Sequence, residues 1–262
     1  MAFADINGIT VHYELLGEPT AKKLIVFSNA LGTDFRIWLP VFDELDDDIS
    51  FLLYDSRGHG LTGTGKTPFA MGDLVDDLIG LVEHLGIQRA TFCGLSVGGI
   101  IAQGVWAKRP DLVKKLILCN TAPKVGSDDL WNTRIGAIRK GGIAGLVDSI
   151  MERWFTADFR EERTTDLAGY GTMLERQPVE GYIATCAAIR DADYAESTKT
   201  IDVPTLCVAG DQDGSTPPEL VRDLAGLIEG SKFEIIEDCG HIPCIEQPEQ
   251  LAALIQAFMK KG

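Results

Sequence analysis

The chain has 262 residues, of which 45% are hydrophobic and 24% are charged, a balance typical of a globular protein. Its formal net charge of −15 argues against binding to nucleic acid or to an anionic membrane surface, because phosphate groups repel such a chain. No apolar run approaches the ~20 residues needed to span a membrane, and the N-terminus lacks the pattern of a signal peptide.

Short apolar runs alternate with helical patterns along the chain. Runs such as LIVFS and FLLY are almost continuously apolar, which is typical of strands buried on both faces of a parallel sheet. Strands are predicted at 9–15, 24–28, 51–54, 91–94, 116–120, 205–209 and 233–237, and helices at 73–85, 97–108, 218–228 and 250–259. This order predicts an α/β fold with a mostly parallel central sheet flanked by helices.

The alternation of strands and helices stops between residues 122 and 198. This stretch is rich in Trp and Tyr and shows several helical patterns without a convincing buried strand. We predict a core made of residues 1–121 and 199–262, with a helical cap inserted at 122–198. Such an insertion would lie above the carboxyl ends of the strands, where α/β folds bind ligands.

The six cysteines form no CxxC pair, and three of them lie inside strand-like apolar runs. A thiol in such a run behaves as a small hydrophobic group. We therefore expect all six to be reduced, in a cytoplasmic protein.

The strongest chemical signal is the G-x-S-x-G segment at 94–98, with Ser96 at its centre. It follows a predicted strand and opens a predicted helix, which is the context of a nucleophile elbow. A serine nucleophile needs a base, and His241 lies immediately after the last strand. His12, His59 and His84 are interpreted as structural or solvent-facing residues.

An imidazole base needs an acid that fixes its tautomer and stabilises its cation. The loop after strand 205–209 contains two candidates, Asp211 and Asp213. Either gives the chain order Ser…Asp…His that is expected for an elbow of this kind.

These motifs resemble those of the α/β-hydrolases over essentially the whole chain. Within that superfamily the chain is most similar to the 3-oxoadipate enol-lactonases of the β-ketoadipate pathway. The resemblance rests on the segments 27–34 (FSNALGTD), 54–60 (YDSRGHG), 94–99 (GLSVGG), 153–156 (RWFT) and 238–243 (DCGHIP), with Trp38 after the first. Most superfamily members carry His-Gly where this chain has Asn29-Ala30, as enol-lactonases tend to.

The resemblance implies a serine hydrolase that opens a small anionic lactone through an acyl-enzyme. It selects Asp213 as the acid and assigns the oxyanion hole to the backbone N–H groups of Leu31 and Val97. No cofactor is expected, and the scattered histidines give no metal-binding spacing.

An anionic substrate of an acidic protein needs a local cation. Arg134 and Trp131 are three residues apart in a predicted cap helix and so share a face. We expect both to contact the substrate. Arg153 and Trp154 are adjacent, so we expect only one of them, Trp154, to face the pocket.

Three other readings remain open at this point. A general carboxylesterase and a cofactor-free perhydrolase would use the same three residues. A ligand-binding receptor on a hydrolase fold could also retain them. A haloalkane dehalogenase is disfavoured, because its elbow nucleophile is Asp whereas this chain has Ser96.

Overall fold

The computed structural model describes residues 1–260. These residues form one eight-stranded sheet with the strand order β1-β2-β4-β3-β5-β6-β7-β8. The pairs β1–β2 and β2–β4 are antiparallel, and the other neighbours are parallel. The strands are β1 (Ala2–Ile6), β2 (Ile9–Leu16), β3 (Leu24–Ser28), β4 (Ser50–Tyr54), β5 (Ala90–Leu95), β6 (Val113–Cys119), β7 (Thr205–Gly210) and β8 (Lys232–Ile236).

Twelve α-helices accompany the sheet within residues 1–260. They are α1 (Leu39–Phe42), α2 (Met71–His84), α3 (Val97–Lys108), α4 (Asp128–Gly141), α5 (Val147–Trp154), α6 (Ala157–Glu162), α7 (Thr164–Glu175), α8 (Val179–Asp191), α9 (Ala195–Thr198), α10 (Pro218–Leu227), α11 (Pro243–Glu246) and α12 (Pro248–Met259). Short 3₁₀ helices lie at Phe35–Trp38, Pro110–Leu112 and Ala144–Leu146. None of these helices is long and apolar enough to cross a membrane.

The predicted α/β architecture is confirmed. β3, β4 and β5 lie in the middle of the sheet and are buried along their whole length, as their continuous apolar runs predict. All six cysteines are buried free thiols, as expected.

β1 was not predicted from the sequence. This edge strand pairs with β2 alone, and only Ala4 and Ile6 of its five residues are buried, so it shows no continuous apolar run. The signal that could have found it is the Asn7-Gly8 pair, whose φ angles of 51° and 75° are those of a tight hairpin turn.

Helices α4–α9 all lie between β6 and β7, which are neighbours in the sheet. No strand interrupts them among the described residues. The chain therefore leaves the sheet at one strand end and returns to the strand beside it. The division into a core and a cap at residues 122 and 198 stays a prediction, and its last two residues, 261 and 262, lie outside the described part of the chain.

A buried ion pair joins the loop after β4 to α2. Arg57 Nε and Nη2 each lie 2.7 Å from a carboxylate oxygen of Asp77, and Asn7 Nδ2 donates to Asp77 Oδ1 at 3.2 Å. Arg57 is 8% exposed and Asp77 is 3% exposed. The neighbouring Asp76 pairs with a lysine on the surface instead, with about half of its side chain exposed.

We predict that Asp77→Ala lowers the free energy of unfolding by ~3–5 kcal/mol, because it leaves the Arg57 charge buried without a partner. Asp76→Ala is the matched control, and the loss of an exposed pair should change the free energy by at most ~1 kcal/mol. Urea denaturation of both variants measures the difference. Equal effects would show that burial of the Arg57–Asp77 pair does not matter.

Candidate active site

The turn between β5 and α3 carries Ser96 in a strained backbone conformation. Its φ of 56° lies in the left-handed region, which residues other than glycine rarely adopt. A Cβ atom at Gly94 would lie 2.3 Å from the Gly98 carbonyl oxygen, and one at Gly98 would lie 2.1 Å from that of Ser28. Only glycine fits these two positions, so the turn is as tight as a nucleophile elbow requires.

His241 follows β8 and forms a buried hydrogen bond with Asp213. Its Nδ1 lies 2.8 Å from Asp213 Oδ2. Asp213 also accepts from the backbone N–H groups of Ser215 and Thr216, at 2.7 and 3.1 Å, and from the Thr216 hydroxyl at 2.6 Å. Burial tends to raise the pKa of Asp213, but the charge of His241 and these hydrogen bonds outweigh it and lower the pKa below its usual value.

An ionised Asp213 determines where the neutral imidazole of His241 carries its proton. A carboxylate only accepts hydrogen bonds, so His241 donates from Nδ1 and its Nε2 stays unprotonated. Ser96 and His241 line the same cavity. This arrangement allows His241 to take a proton from the serine hydroxyl while Asp213 stabilises the resulting cation.

Leu31 and Val97 line this cavity together with Ser96. Leu31 lies in a turn that is closed by a 3.2 Å hydrogen bond from the Thr33 N–H to the Ala30 carbonyl. Val97 is the first residue of α3, so its N–H has no partner within the helix. Neither N–H donates to any loop or turn carbonyl within residues 1–260. Both can therefore donate to an oxyanion.

The Asn29 side chain fixes the strand end that leads into this turn. Its Nδ2 donates to the Tyr54 carbonyl at 2.8 Å, and its Oδ1 accepts from Trp38 Nε1 at 2.9 Å. Both amide atoms are thus used inside the protein. The structure gives a physical reason why an asparagine in segment 27–34 accompanies Trp38.

The cavity is small and locally positive. Its volume is about 70 Å³, well below the ~300–1,000 Å³ that is typical of sites for drug-sized ligands. Arg134 and Arg153 lie on its wall, and among residues 1–260 the wall includes no Asp or Glu. The Arg134 guanidinium lies 5.2 Å from the ring centroid of Trp131, a cation–π contact.

The sequence matches the family model of the alpha/beta hydrolase fold over residues 23–248. This chain is an α/β hydrolase. The hydrolase is 32% identical to 3-oxoadipate enol-lactonase 2 of Acinetobacter baylyi, over 97% of its own length and 94% of the relative's. It is 27% identical to a putative carbamate hydrolase RutD of Rhizobium rhizogenes, over 95% and 98% of the two chains.

Among solved structures, the hydrolase is similar to the enol-lactonase from Burkholderia xenovorans LB400. The two share 35% sequence identity with a TM-score of 0.95, and the match covers 99% of this chain and 100% of the other. The resemblance to α/β-hydrolases and to enol-lactonases that the motifs indicated is thereby confirmed.

The other three histidines of the hydrolase lie outside the cavity. His12 is buried with Nδ1 2.7 Å from Asp55 Oδ2, and His84 is exposed at the end of α2. His59 is buried in the loop after β4, and burial lowers its pKa to about 4. Only His241 lines the wall that carries Ser96 among the described histidines.

The expectation that only one of Arg153 and Trp154 faces the pocket is wrong, because both line the cavity. Ile150 on the same helix also lines it. Arg153 and Trp154 are three and four residues after Ile150, and residues at these spacings share one face of a helix. The adjacent pair alone does not define the helix face, which becomes apparent only with Ile150.

Two further residues of the cavity were not predicted from the sequence. Thr216 lines the cavity and donates to Asp213 Oδ2, and its position three residues after an aspartate is typical of a side-chain turn motif. Tyr182 on α8 also lines the cavity and is 1% exposed, and burial raises its pKa. Its helical spacing alone could not distinguish it from a core residue.

The two candidate acids have different surroundings. Asp213 is 4% exposed and contacts His241, whereas Asp211 is exposed and accepts from the Cys239 backbone N–H at 2.9 Å. The geometry therefore favours Asp213 as the partner of the base.

We predict that Asp213→Asn lowers kcat for ester hydrolysis by at least ~10⁴-fold, because an amide can hold the wrong tautomer of His241. Asp211→Asn keeps an acceptor oxygen for Cys239 and should change kcat by less than about ten-fold. Steady-state kinetics on a simple aryl ester compares them. A larger loss in Asp211→Asn would transfer the role of the acid to that residue.

Proposed function

We propose that this hydrolase opens a small enol-lactone that carries a carboxylate, namely 3-oxoadipate enol-lactone, to give 3-oxoadipate. The observation that carries the proposal is a nucleophile, a base and two arginines around one cavity that has no Asp or Glu on its described wall, in a chain of net charge −15. The names of the enol-lactonase relatives supply the particular substrate.

In the proposed reaction, Ser96 Oγ attacks the ring carbonyl carbon while His241 Nε2 takes the hydroxyl proton. The negative charge that develops on the carbonyl oxygen is stabilised by the N–H groups of Leu31 and Val97. Each such donor contributes about 3 kcal/mol to transition-state stabilisation when its geometry is right. Asp213 stabilises the imidazolium through the 2.8 Å hydrogen bond to Nδ1.

The attack gives a tetrahedral intermediate. Its collapse breaks the bond between the carbonyl carbon and the ring oxygen. The leaving group is an enolate, which departs more readily than an alkoxide. It takes the proton that His241 removed from Ser96 and becomes a ketone, so His241 is again a free base. Ring opening releases no fragment, so the whole opened chain stays on Ser96 as an ester. His241 then activates a water molecule that attacks this ester and releases the second carboxylate.

We infer that the substrate carboxylate binds to the side of the cavity formed by residues 122–198, which we assign as a cap. Arg134 is half-buried against Trp131, and no carboxylate lies within ion-pair distance of it among residues 1–260. A guanidinium in a partly dry wall binds a carboxylate strongly. Trp154 forms part of the same wall.

Such a reaction belongs to the breakdown of aromatic compounds. We propose a cytoplasmic location, which agrees with six buried free thiols. No cofactor enters the proposed reaction, since every proton and electron pair is supplied by the substrate, water and the side chains named above.

The deciding experiment is turnover of 3-oxoadipate enol-lactone generated in situ, beside neutral esters of similar size. The wild type should prefer the lactone acid, and Ser96→Ala and His241→Ala should each lower kcat by at least ~10⁴-fold while they keep the native circular dichroism spectrum. A preference for the neutral esters would favour a general carboxylesterase. Absence of any turnover would indicate a ligand-binding protein.

We predict that Arg134→Ala raises KM for the lactone acid at least ten-fold, because it removes the contact to the carboxylate. KM for a neutral aryl ester should change by less than about two-fold, since that substrate has no charge to bind. Arg139→Ala is the matched control, because Arg139 is exposed on the same helix and does not line the cavity. Equal responses to both substrates would make Arg134 a structural residue.

A further inference from the structure

The backbone from the N–H of Gly240 to the N–H of His241 is held from three directions. The Gly240 carbonyl accepts from Asn120 Nδ2 at 2.9 Å, and the Gly240 N–H donates to Glu246 Oε2 at 2.8 Å. The His241 N–H donates to the Trp154 carbonyl at 2.7 Å. The backbone of the proposed base is thus attached to the end of β6, to α11 and to the end of α5.

Glu246 connects two of these attachments. Its Oε1 accepts from the backbone N–H of Thr156 at 2.9 Å and from the Thr156 hydroxyl at 2.5 Å, while its Oε2 accepts from Gly240. The residue is 9% exposed, and no cation lies within ion-pair distance of it in residues 1–260. Its carboxyl group therefore bridges the loop that carries His241 and the segment 154–156.

The two backbones meet too closely for any side chain between them. A Cβ atom at Gly240 would lie 2.5 Å from the Trp154 carbonyl oxygen and 3.1 Å from Glu246 Oε2. Thr156 also accepts from the Phe159 N–H at 3.2 Å and so caps the start of α6. Movement of segment 154–156 would break hydrogen bonds of the base loop as well as this cap.

We propose that Glu246 is a positioning residue for His241. It fixes the Gly240–His241 backbone to segment 154–156, so that the imidazole faces Ser96 in the same arrangement in which the Trp154 side chain lines the cavity. The inference rests on the proposed function for the role of His241. A substrate that contacts Trp154 then also affects the position of His241, because segment 154–156 holds the backbone of that residue.

Glu246→Gln tests this role with little change of shape. All three partners of the carboxyl group are donors, so either orientation of the amide places its NH₂ group opposite an N–H or O–H. We expect the rate at which a fluorophosphonate modifies Ser96 to fall about 10- to 100-fold, since a misplacement of about 1 Å can have an effect of that size. In that reaction Ser96 Oγ bonds to phosphorus, fluoride leaves and His241 takes the proton.

A second readout does not depend on any substrate. The proton between His241 Nδ1 and Asp213 should give a downfield ¹H NMR resonance, which we expect Glu246→Gln to shift or broaden. Glu249→Gln is the matched control, because Glu249 is exposed three residues further along the chain. It should leave both the rate and the resonance as they are in the wild type.

If Glu246→Gln does not fold, substitutions of Thr156, which donates to the same carboxylate, test the proposal instead. Thr156→Ser keeps the hydroxyl that donates to Glu246 and should retain at least half of the wild-type rate. Thr156→Val removes the hydroxyl and should lower the rate of Ser96 modification about five-fold or more. Equal rates in these two variants would overturn the proposal.

A folded Glu246→Gln with an unchanged rate and an unchanged resonance would also overturn it. Failure of the proposed function would look different. An esterase that prefers neutral esters would still react with the fluorophosphonate in the wild type, whereas a ligand-binding protein would not react even as the wild type. The resonance would still report whether Glu246 positions His241 in that case.

Discussion

Gly98 approaches the carbonyl oxygen of Ser28 so closely that a Cβ atom would lie 2.1 Å from that oxygen. This contact joins the first turn of α3 to the end of β3. Because β3 leads directly into the turn that contains Leu31, the same contact brings the serine and both free N–H groups to one side of the sheet. A larger residue at position 98 would separate Ser96 from Leu31, one of the two proposed oxyanion donors.

The parallel strands explain why the remaining polar groups converge on the same point. β5, β7 and β8 run in one direction, so Ser96, Asp213 and His241 each follow a strand at the same edge of the sheet. Their separation along the sequence is large, yet the fold requires little side-chain reach. Ligand sites at the carboxyl edge of such sheets follow from this geometry.

The central strands and Ser96 could be predicted from the sequence because each leaves a pattern within a short stretch of residues. The central strands were visible as continuous apolar runs, and Ser96 as a serine between glycines that also lies between a strand and a helix. β1 was missed because its edge position leaves most of its residues unburied.

Glu246 was missed for a different reason. Its three partners come from positions 156 and 240, and no short motif records a contact between such distant segments. The prediction that Arg153 faces away from the pocket was wrong because a helix face is defined by at least three residues. What the sequence could not supply was the set of long-range hydrogen bonds that orient the predicted side chains.

The helices between β6 and β7 leave and rejoin the sheet at adjacent strands, which has a consequence for how such proteins diversify. An insertion of this kind can change in length or composition without shifting the register of any strand. In the proposed function, recognition by these helices would evolve separately from chemistry, except where the segment 154–156 contacts the loop of His241. A chimaera that receives other helices between β6 and β7 would need to reproduce the contacts between segment 154–156 and the loop of His241. We infer that these contacts limit which insertions the fold accepts.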